Sequence, residues 1–340
     1  MKQRTMKEPA AQPAQMGAAL LSAMLTVTLV ATFAAAALWQ QYRSIEVEAS
    51  ERARVQVAWL LVGALDWSRL ILRIDGSNAK TSTSDHLAEP WAVALPESRL
   101  STFLAMDQNN TGGMTAEESV DVFLSGQMTD AQSFLNVYNL VDAGKESPAD
   151  KAAFIRLFEL LKLPATELDT LVKNLKIAKD VSVVNGNAVL MPERVRQLTW
   201  LGLSPATLAK LTPYITLISQ RTAVNLNTAS AEVIYASVPN LQLADAKLVV
   251  FARQSKPFGS IDDAKKAVKA LEQIKDTEHS VVTRFFQVMG RLRLEQTVVE
   301  EQSLVQRDNF GNVRTLWRER AVVSSPEPST SNTSTGLPSS

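Results

Sequence analysis

From Ala18 to Trp39 the chain carries 22 successive residues without a charge, "AALLSAMLTVTLVATFAAAALW". At 1.5 Å per residue a helix of that length reaches about 33 Å, enough to cross the hydrocarbon core of a bilayer. The apolar pattern then narrows to one side. Val57, Leu60, Leu61, Ala64, Leu65, Ile71 and Leu72 recur at three-to-four spacing, with Glu51, Arg52, Arg54, Arg69 and Arg73 among them. One helix is therefore predicted from Ala18 to about Ile74, apolar all round at first and one-sided later.

Past that helix the pattern breaks up. Ser77 to Ser98 is rich in Ser, Thr and Pro and reads as a loop, and Ser119 to Leu140 opens with strand-like residues before a turn near Ser125-Gly126. Pro148 to Ile274 is almost wholly helical: Ala153, Ile155, Leu157, Phe158, Leu160 and Leu161 fall at helical spacing, and Pro164 suits the first turn of the next helix. Ser204 before Pro205 supplies an N-cap with proline at the first helical position. After Glu278 the period becomes two. Phe286, Val288, Gly290, Leu292 and Leu294 share one face, and Gln287, Arg291 and Arg293 the other. "TVVEEQSLVQR" and "NVRTLWRERAV" follow, joined by a hairpin turn at Asp308 to Gly311, so a three-stranded meander is expected. The Ser, Thr and Pro-rich end, 324–340, has no periodicity and reads as a disordered tail.

Composition narrows the chemistry. A length of 340 residues suggests about two domains, and 46% hydrophobic content supports real cores. A net charge of zero gives no global field for nucleic acid. Cysteine is absent, which excludes thiol catalysis, disulfides and thiolate metal sites. The two histidines, His86 and His279, stand far apart in polar stretches and read as surface residues. A hydrolase would need a nucleophile, a base and an orienter, and beyond scattered Ser, Asp and Glu no such set is visible.

The opening run is longer than the apolar part of a secretory signal, about 7 to 15 residues, although "FAAAA", Phe33 to Ala37, resembles a cleavage site. Lys2, Arg4 and Lys7 against Glu8 form a positive flank that should stay cytoplasmic, leaving the bulk of the chain outside. The residues alone leave a plain signal anchor with a juxtamembrane helix equally open.

A short basic leader ending in Gly17, followed by an apolar helix that turns amphipathic, resembles the type IV prepilin and pseudopilin signal. The resemblance implies cleavage between Gly17 and Ala18 by a prepilin peptidase on the cytoplasmic side, with the anchor retained. Two positions depart from the usual pattern: Ala18 stands where Phe or Met is common, and Ser22, the fifth mature residue, where most members carry glutamate. "GALDW" (63–67), "GQMTDAQSFLNVYNL" (126–140), "LTPYITL" (211–217), "VNLNTASAEVIYASVPN" and "FARQSKPFGSIDDA" (224–264) resemble the minor pseudopilins of the GspK family in type II secretion systems, whose helical domain interrupts a pilin-like fold.

The fold class this implies is α+β. A pilin-like long N-terminal helix and a small antiparallel sheet are interrupted by an inserted all-α domain with a helix-hairpin-helix-like (SAM-like) module. The expected organisation is a leader at 1–17, a transmembrane helix at 18–39 and the first part of the pilin-like core at 40–140. The inserted helical domain follows at 141–277, the meander at 278–323 and then the tail. The implied role is non-enzymatic, at the tip of a short periplasmic pseudopilus anchored in the bacterial inner membrane. Its implied partners are GspI- and GspJ-like minor pseudopilins, the major pseudopilin, the prepilin peptidase and the inner-membrane secretion platform.

Two motifs carry rival chemistry. Val224 to Asp263 also resembles a helix-hairpin-helix, which in other proteins grips DNA phosphates with a glycine-rich hairpin. Here the hairpin Val238 to Leu243 has no glycine, and Lys247, Arg253 and Lys256 are balanced by Asp245, Asp262 and Asp263. Structural use is therefore favoured over an anchored periplasmic DNA-binding protein, and Asn225 and Asn227 read as turn and cap residues. "DQNNTGGMTAEE" comes close to a calcium loop, with Asp107, Asn109, Thr111 and Thr115 at positions one, three, five and nine and Glu118 at twelve. Thr111 replaces the usual acid or amide and strand-like residues follow, so a polar loop is the favoured reading. Since pseudopilins include calcium binders, Asp107, Asn109, Thr111 and Glu118 stand as a weak metal candidate; no cofactor is required.

Overall fold

The structure, a computed structural model, describes residues 16–77, 84–100, 122–180, 190–294 and 297–324. Its chain divides into two units, Met1–Trp59 and Leu60–Ser340. Helix α1 (Met16–Ser77) is continuous, as its unbroken periodicity predicts. In the first unit every side chain from Ala18 to Arg52 is exposed. Among the described residues α1 alone is long and apolar enough to cross a membrane.

The second unit is built on a five-stranded antiparallel sheet, β1 (Leu95–Arg99), β2 (Val122–Asp130), β9 (Phe285–Leu294), β10 (Thr297–Arg307) and β11 (Val313–Ser324), in the order β1-β2-β9-β10-β11. Leu65 and Leu72 of α1 pack on its front face against Met128, Phe286, Val288, Val305 and Val313. Trp91, from the 3-10 turn Pro90–Ala92, meets Phe286 edge-on at 5.1 Å. The meander and its turn follow the period-two pattern, with Gly311 at φ +82 donating its N–H to Asp308.

Two expectations about this sheet need correction. The stretch read as a loop from Ser77 to Ser98 enters strand β1 at Leu95. "LPESR" is polar and contains proline, which suits an edge strand and hides it from a hydrophobic-period reading. The turn expected at Ser125-Gly126 is absent, and β2 runs straight through. Gly126 faces Gly290 across the ladder, and a Cβ there would lie 3.2 Å from the Met289 carbonyl, so this glycine permits close strand approach rather than a turn.

Between the adjacent strands β2 and β9 the chain makes a long helical excursion. It begins with β3 (Leu135–Asn136), the small hairpin β4 (Val141–Asp142) and β5 (Lys145–Glu146), α2 (Pro148–Leu160) and α3 (Ala165–Lys179). Then come α4 (Pro205–Leu211), β6 (Ile215–Thr216), β7 (Val224–Asn225), α5 (Ala231–Ser237), α6 (Leu243–Ser255), α7 (Ile261–Ala267) and β8 (His279–Ser280). One buried cluster unites it, from Leu135 to Val281, so its core draws on residues either side of 141–277. Ser204 caps α4 as expected, accepting from Thr207 N–H at 3.2 Å, whereas Pro164 sits at the N-cap of α3, one place before the helix. Two parallel bridges, β3 with β6 and β7 with β8, close the block.

Candidate assembly site

In the anchor, Ala18 and Ser22 lie exposed on α1, which also includes Gly17. The Ser22 hydroxyl donates to the Ala19 carbonyl at 2.9 Å, and Thr26, Thr28 and Thr32 likewise return their hydroxyls to carbonyls of the preceding turn. Each hydroxyl is thus satisfied within its own helix, which makes it tolerable in an apolar medium.

In the folded unit some motif residues meet at the seam between the sheet and the helical block, and others tie the block to itself. Asp130, at the end of β2, is fully buried. It accepts from Gln132 N–H at 2.6 Å, Asn225 Nδ2 at 2.8 Å and the Thr228 hydroxyl at 2.6 Å. Burial nonetheless pushes its carboxyl up to about 6. Asn136 accepts from Ile218 N–H and donates to the Ile218 and Gln220 carbonyls, and Asn139 does the same for both backbone groups of Thr222. Side-chain amides carry a donor and an acceptor, so they satisfy a passing backbone that has no strand partner. Asn227 forms a further such pair with Phe258, and its own N–H binds the Asn225 side chain in the expected turn, whereas the helix cap expected of these residues falls to Ser230, which accepts from Val233 N–H.

A second buried knot ties α1 to the sheet. Arg307 donates to Asp75 at 2.6 Å and to Asp85, while Asp85 also accepts from Thr283 N–H at 2.7 Å. Burial raises the Asp85 carboxyl, with Arg307 opposing, and burial likewise raises Glu89, which accepts from the Trp91 indole at 2.6 Å. Asp75, Asp85 and Glu89 bring carboxylate oxygens within 4.8 Å of one another. The Arg307 guanidinium pairs with Asp75 and Asp85, while Glu89 is held by the His86 N–H and the Trp91 indole. Asp107, Asn109, Thr111, Thr115 and Glu118 of the calcium candidate lie outside the described residues.

His279 is not the surface residue its polar neighbours suggest. The β7–β8 bridge carries it to 1% exposure, and burial pulls its pKa down to about 4. Its Nε2 lies 3.2 Å from the Ser237 hydroxyl, but among the described residues its Nδ1 has no partner and so no orienter. The cavity beside Ser237 holds about 20 Å³, room for one water and for no substrate. His86 is half-buried, its Nδ1 accepting from Ala88 N–H.

The helix-hairpin-helix keeps its two helices, α5 and α6, but not a phosphate grip. Asn240 takes the left-handed position at φ +60 that glycine fills in binding versions. Arg253, counted above among the basic groups, is 7% exposed and donates to the Leu226 carbonyl at 2.5 Å. Only Lys247 and Lys256 of that trio reach solvent.

Residues 224–283 match the family described as type II secretion system (T2SS), protein K. The protein K of Pseudomonas aeruginosa is 26% identical over 340 residues, covering 93% of this chain and 96% of the relative. The chain is related to protein K of the type II secretion system. The matched stretch includes Asn225 and Thr228, which bind Asp130 at the end of β2, and Thr283, which binds Asp85. A chain in the crystal structure of the GspK-GspI-GspJ complex from enterotoxigenic Escherichia coli shares the fold, with a TM-score of 0.59 and 16% identity, covering 80% of this chain and 98% of that one.

One apolar surface stays exposed among the described residues. In the folded unit α1 leaves Trp67, Leu70 and Ile74 between 43% and 51% exposed, beginning one turn after Gly63. Their spacing of three and four puts them on one side of the helix.

Proposed function

We propose that this protein is a minor pseudopilin at the tip of a type II secretion pseudopilus, where it assembles with GspI- and GspJ-like subunits to initiate or cap the fibre. The observation that carries this reading is the exposed apolar side of α1, Gly63, Trp67, Leu70 and Ile74, on a helix whose other side is already committed to the sheet. A lone chain leaves that stripe in water, and a neighbouring helix would cover it. The anchor 18–39 holds the chain in the inner membrane, with its leader cytoplasmic and its folded unit periplasmic. The helical block between β2 and β9 is too bulky for a packed shaft, which favours the tip. Its role is structural: the Ser237–His279 pair is sealed from any substrate.

The leader is cut between Gly17 and Ala18, so the anchor is retained. Intact mass and N-terminal sequencing of membrane-extracted protein test this, with a start at Ala18 expected. A start near Trp39 would mean an ordinary signal peptidase, loss of the anchor and failure of the reading.

A further inference from the structure

The chain enters the helical block at the end of β2 and leaves it at the start of β9, and these strands are neighbours, with Asp130 standing opposite Phe286. Both crossings therefore lie side by side at one end of the sheet. A few residues at the ends of elements are what a domain hinge is made of. The bonds at this joint are buried. Asp130 holds Asn225 and Thr228, while Gln132 donates to the Ala223 carbonyl at 3.1 Å and accepts from Arg284 N–H at 2.9 Å. The apolar contact beside them is small, made by Ala131, Ile218, Phe285 and Leu304.

Beyond the joint a cleft of about 630 Å³ separates the block from the sheet. Its floor is two cross-strand rows, Gln127-Met289-Gln302-Glu319 and Thr129-Gln287-Leu304-Trp317. Leu208, Ile215 and Leu217 of the block form the opposite wall. Amides and a hydroxyl on one side find no partners among aliphatic chains on the other, so a dry closure would strand polar groups. The alternation of β2, β9 and β10 thus keeps a wettable face under the block.

A second attachment spans the cleft at the sheet edge. The Arg194 guanidinium lies 3.8 Å from the centre of the Trp317 ring and donates through Nε to Glu319 at 3.2 Å, and Arg196 donates to the same carboxylate at 2.5 Å. Both arginines are fixed to the block. Gln197 Oε1 accepts from the N–H groups of Glu193 and Arg194, and Leu198 and Leu201 of the 3-10 helix Val195–Leu201 are buried in the block's core. Trp317 and Glu319 belong to β11, two strands beyond β9 and so about 10 Å from the joint.

We propose that the helical block is a hinged body that pivots on the β2–β9 joint, and that Arg194 and Arg196 form a latch holding it to Glu319 and Trp317 of β11. The latch and the joint differ in their access to water. The Arg196 and Glu319 side chains are 66% and 33% exposed, whereas Asp130 and Asn225 are at most 1% exposed. Salt therefore weakens the latch and spares the hinge. The device works within one chain and does not depend on what that chain assembles with.

The chain has no cysteine, so thiols can be placed at will. Gln127→Cys and Ala209→Cys put exposed spin labels on opposite walls of the cleft, and Ala209→Cys with Glu272→Cys gives a control pair inside the block. Electron paramagnetic resonance then reads both distances in the full-length, detergent-solubilised chain. With the latch intact and salt near 0.05 M the cross-cleft distance should be single and narrow. Glu319→Gln, which removes both ion pairs, should broaden its distribution at least twofold while the control pair stays unchanged. Raising salt to about 1 M should broaden the latched chain in the same way and add nothing to Glu319→Gln. An unchanged cross-cleft distance in both Glu319→Gln and high salt would overturn the proposal, since the joint alone would then fix the block. A distribution already broad in the latched chain, or a control pair that broadens with the other, would overturn it as well. Should Glu319→Gln fail to fold, the salt series on the latched chain decides alone.

Discussion

Replacing Arg307 by methionine removes the centre of the knot that joins α1 to the sheet. The guanidinium is 7% exposed and answers two carboxylates, Asp75 and Asp85, while it also reaches the Thr283 carbonyl at 3.2 Å. Methionine keeps much of the apolar stem but leaves Asp85 buried without its cation. Removing one partner of a buried pair costs about 3–5 kcal/mol. In a domain of this size each kcal/mol moves Tm by about 2–4 °C, so a drop of about 6–20 °C is expected at pH 7. Burial already raises the Asp85 pKa and Arg307 opposes it, so losing the arginine raises it further. A carboxyl raised in the folded state costs stability as it ionises, so the cost grows with rising pH and shrinks when acid supplies the proton. Thermal unfolding of the detergent-solubilised chain, followed by the fluorescence of its six tryptophans, should show a smaller Tm loss at pH 4 than at pH 7. Asp85→Asn in the same chain should restore more than half of the loss. A drop below about 2 °C, or one independent of pH, would refute the reasoning.

Asp130 and His279 should give pH effects of opposite sense. The folded Asp130 holds its proton up to about pH 6, so wild type loses stability relative to Asp130→Asn as pH rises from 4 to 7, by about 3 kcal/mol at 1.36 kcal/mol per pKa unit. His279 is held near 4, so wild type loses a similar amount relative to His279→Leu as pH falls from 6.5 to 4, and denaturant melts across pH check both signs. Gly202, at φ +100 with a Cβ position 2.6 Å from the Thr170 methyl, should lose about 2 kcal/mol or more as Gly202→Ala, part of it regained with Thr170→Ser in urea melts. Ser22→Glu should leave secretion intact or weaken it, because a subunit with nothing above it would hold an unpaired acid in the membrane; improved secretion in a plate assay would argue against a tip position.

The sequence made α1 and the meander readable because each keeps a single period over many residues. It hid β1, whose Pro96, Glu97 and Ser98 suit an edge rather than a core. It misplaced a turn at Gly126, since glycine marks close strand approach as well as turns. The seam was out of reach for a different reason. Asp130 meets Asn225 and Thr228, and Arg307 meets Asp85, only after the chain has folded back across the helical block. His279 and Arg253 look like surface groups because their flanks are polar, yet a bridge and a carbonyl draw them inside. The motifs at 126–140 and 211–264 were visible as patterns, while what their amides do, tying the loops of the helical block to one another, is visible only in three dimensions.

The central claim is tested most directly by a photo-crosslinking amino acid placed at Trp67 in living, secreting cells. The account predicts a small set of adducts, each joining this protein to another minor pseudopilin, with no repeating series. Regular ladders with the major pseudopilin, or adducts between copies of this chain along the fibre, would contradict it.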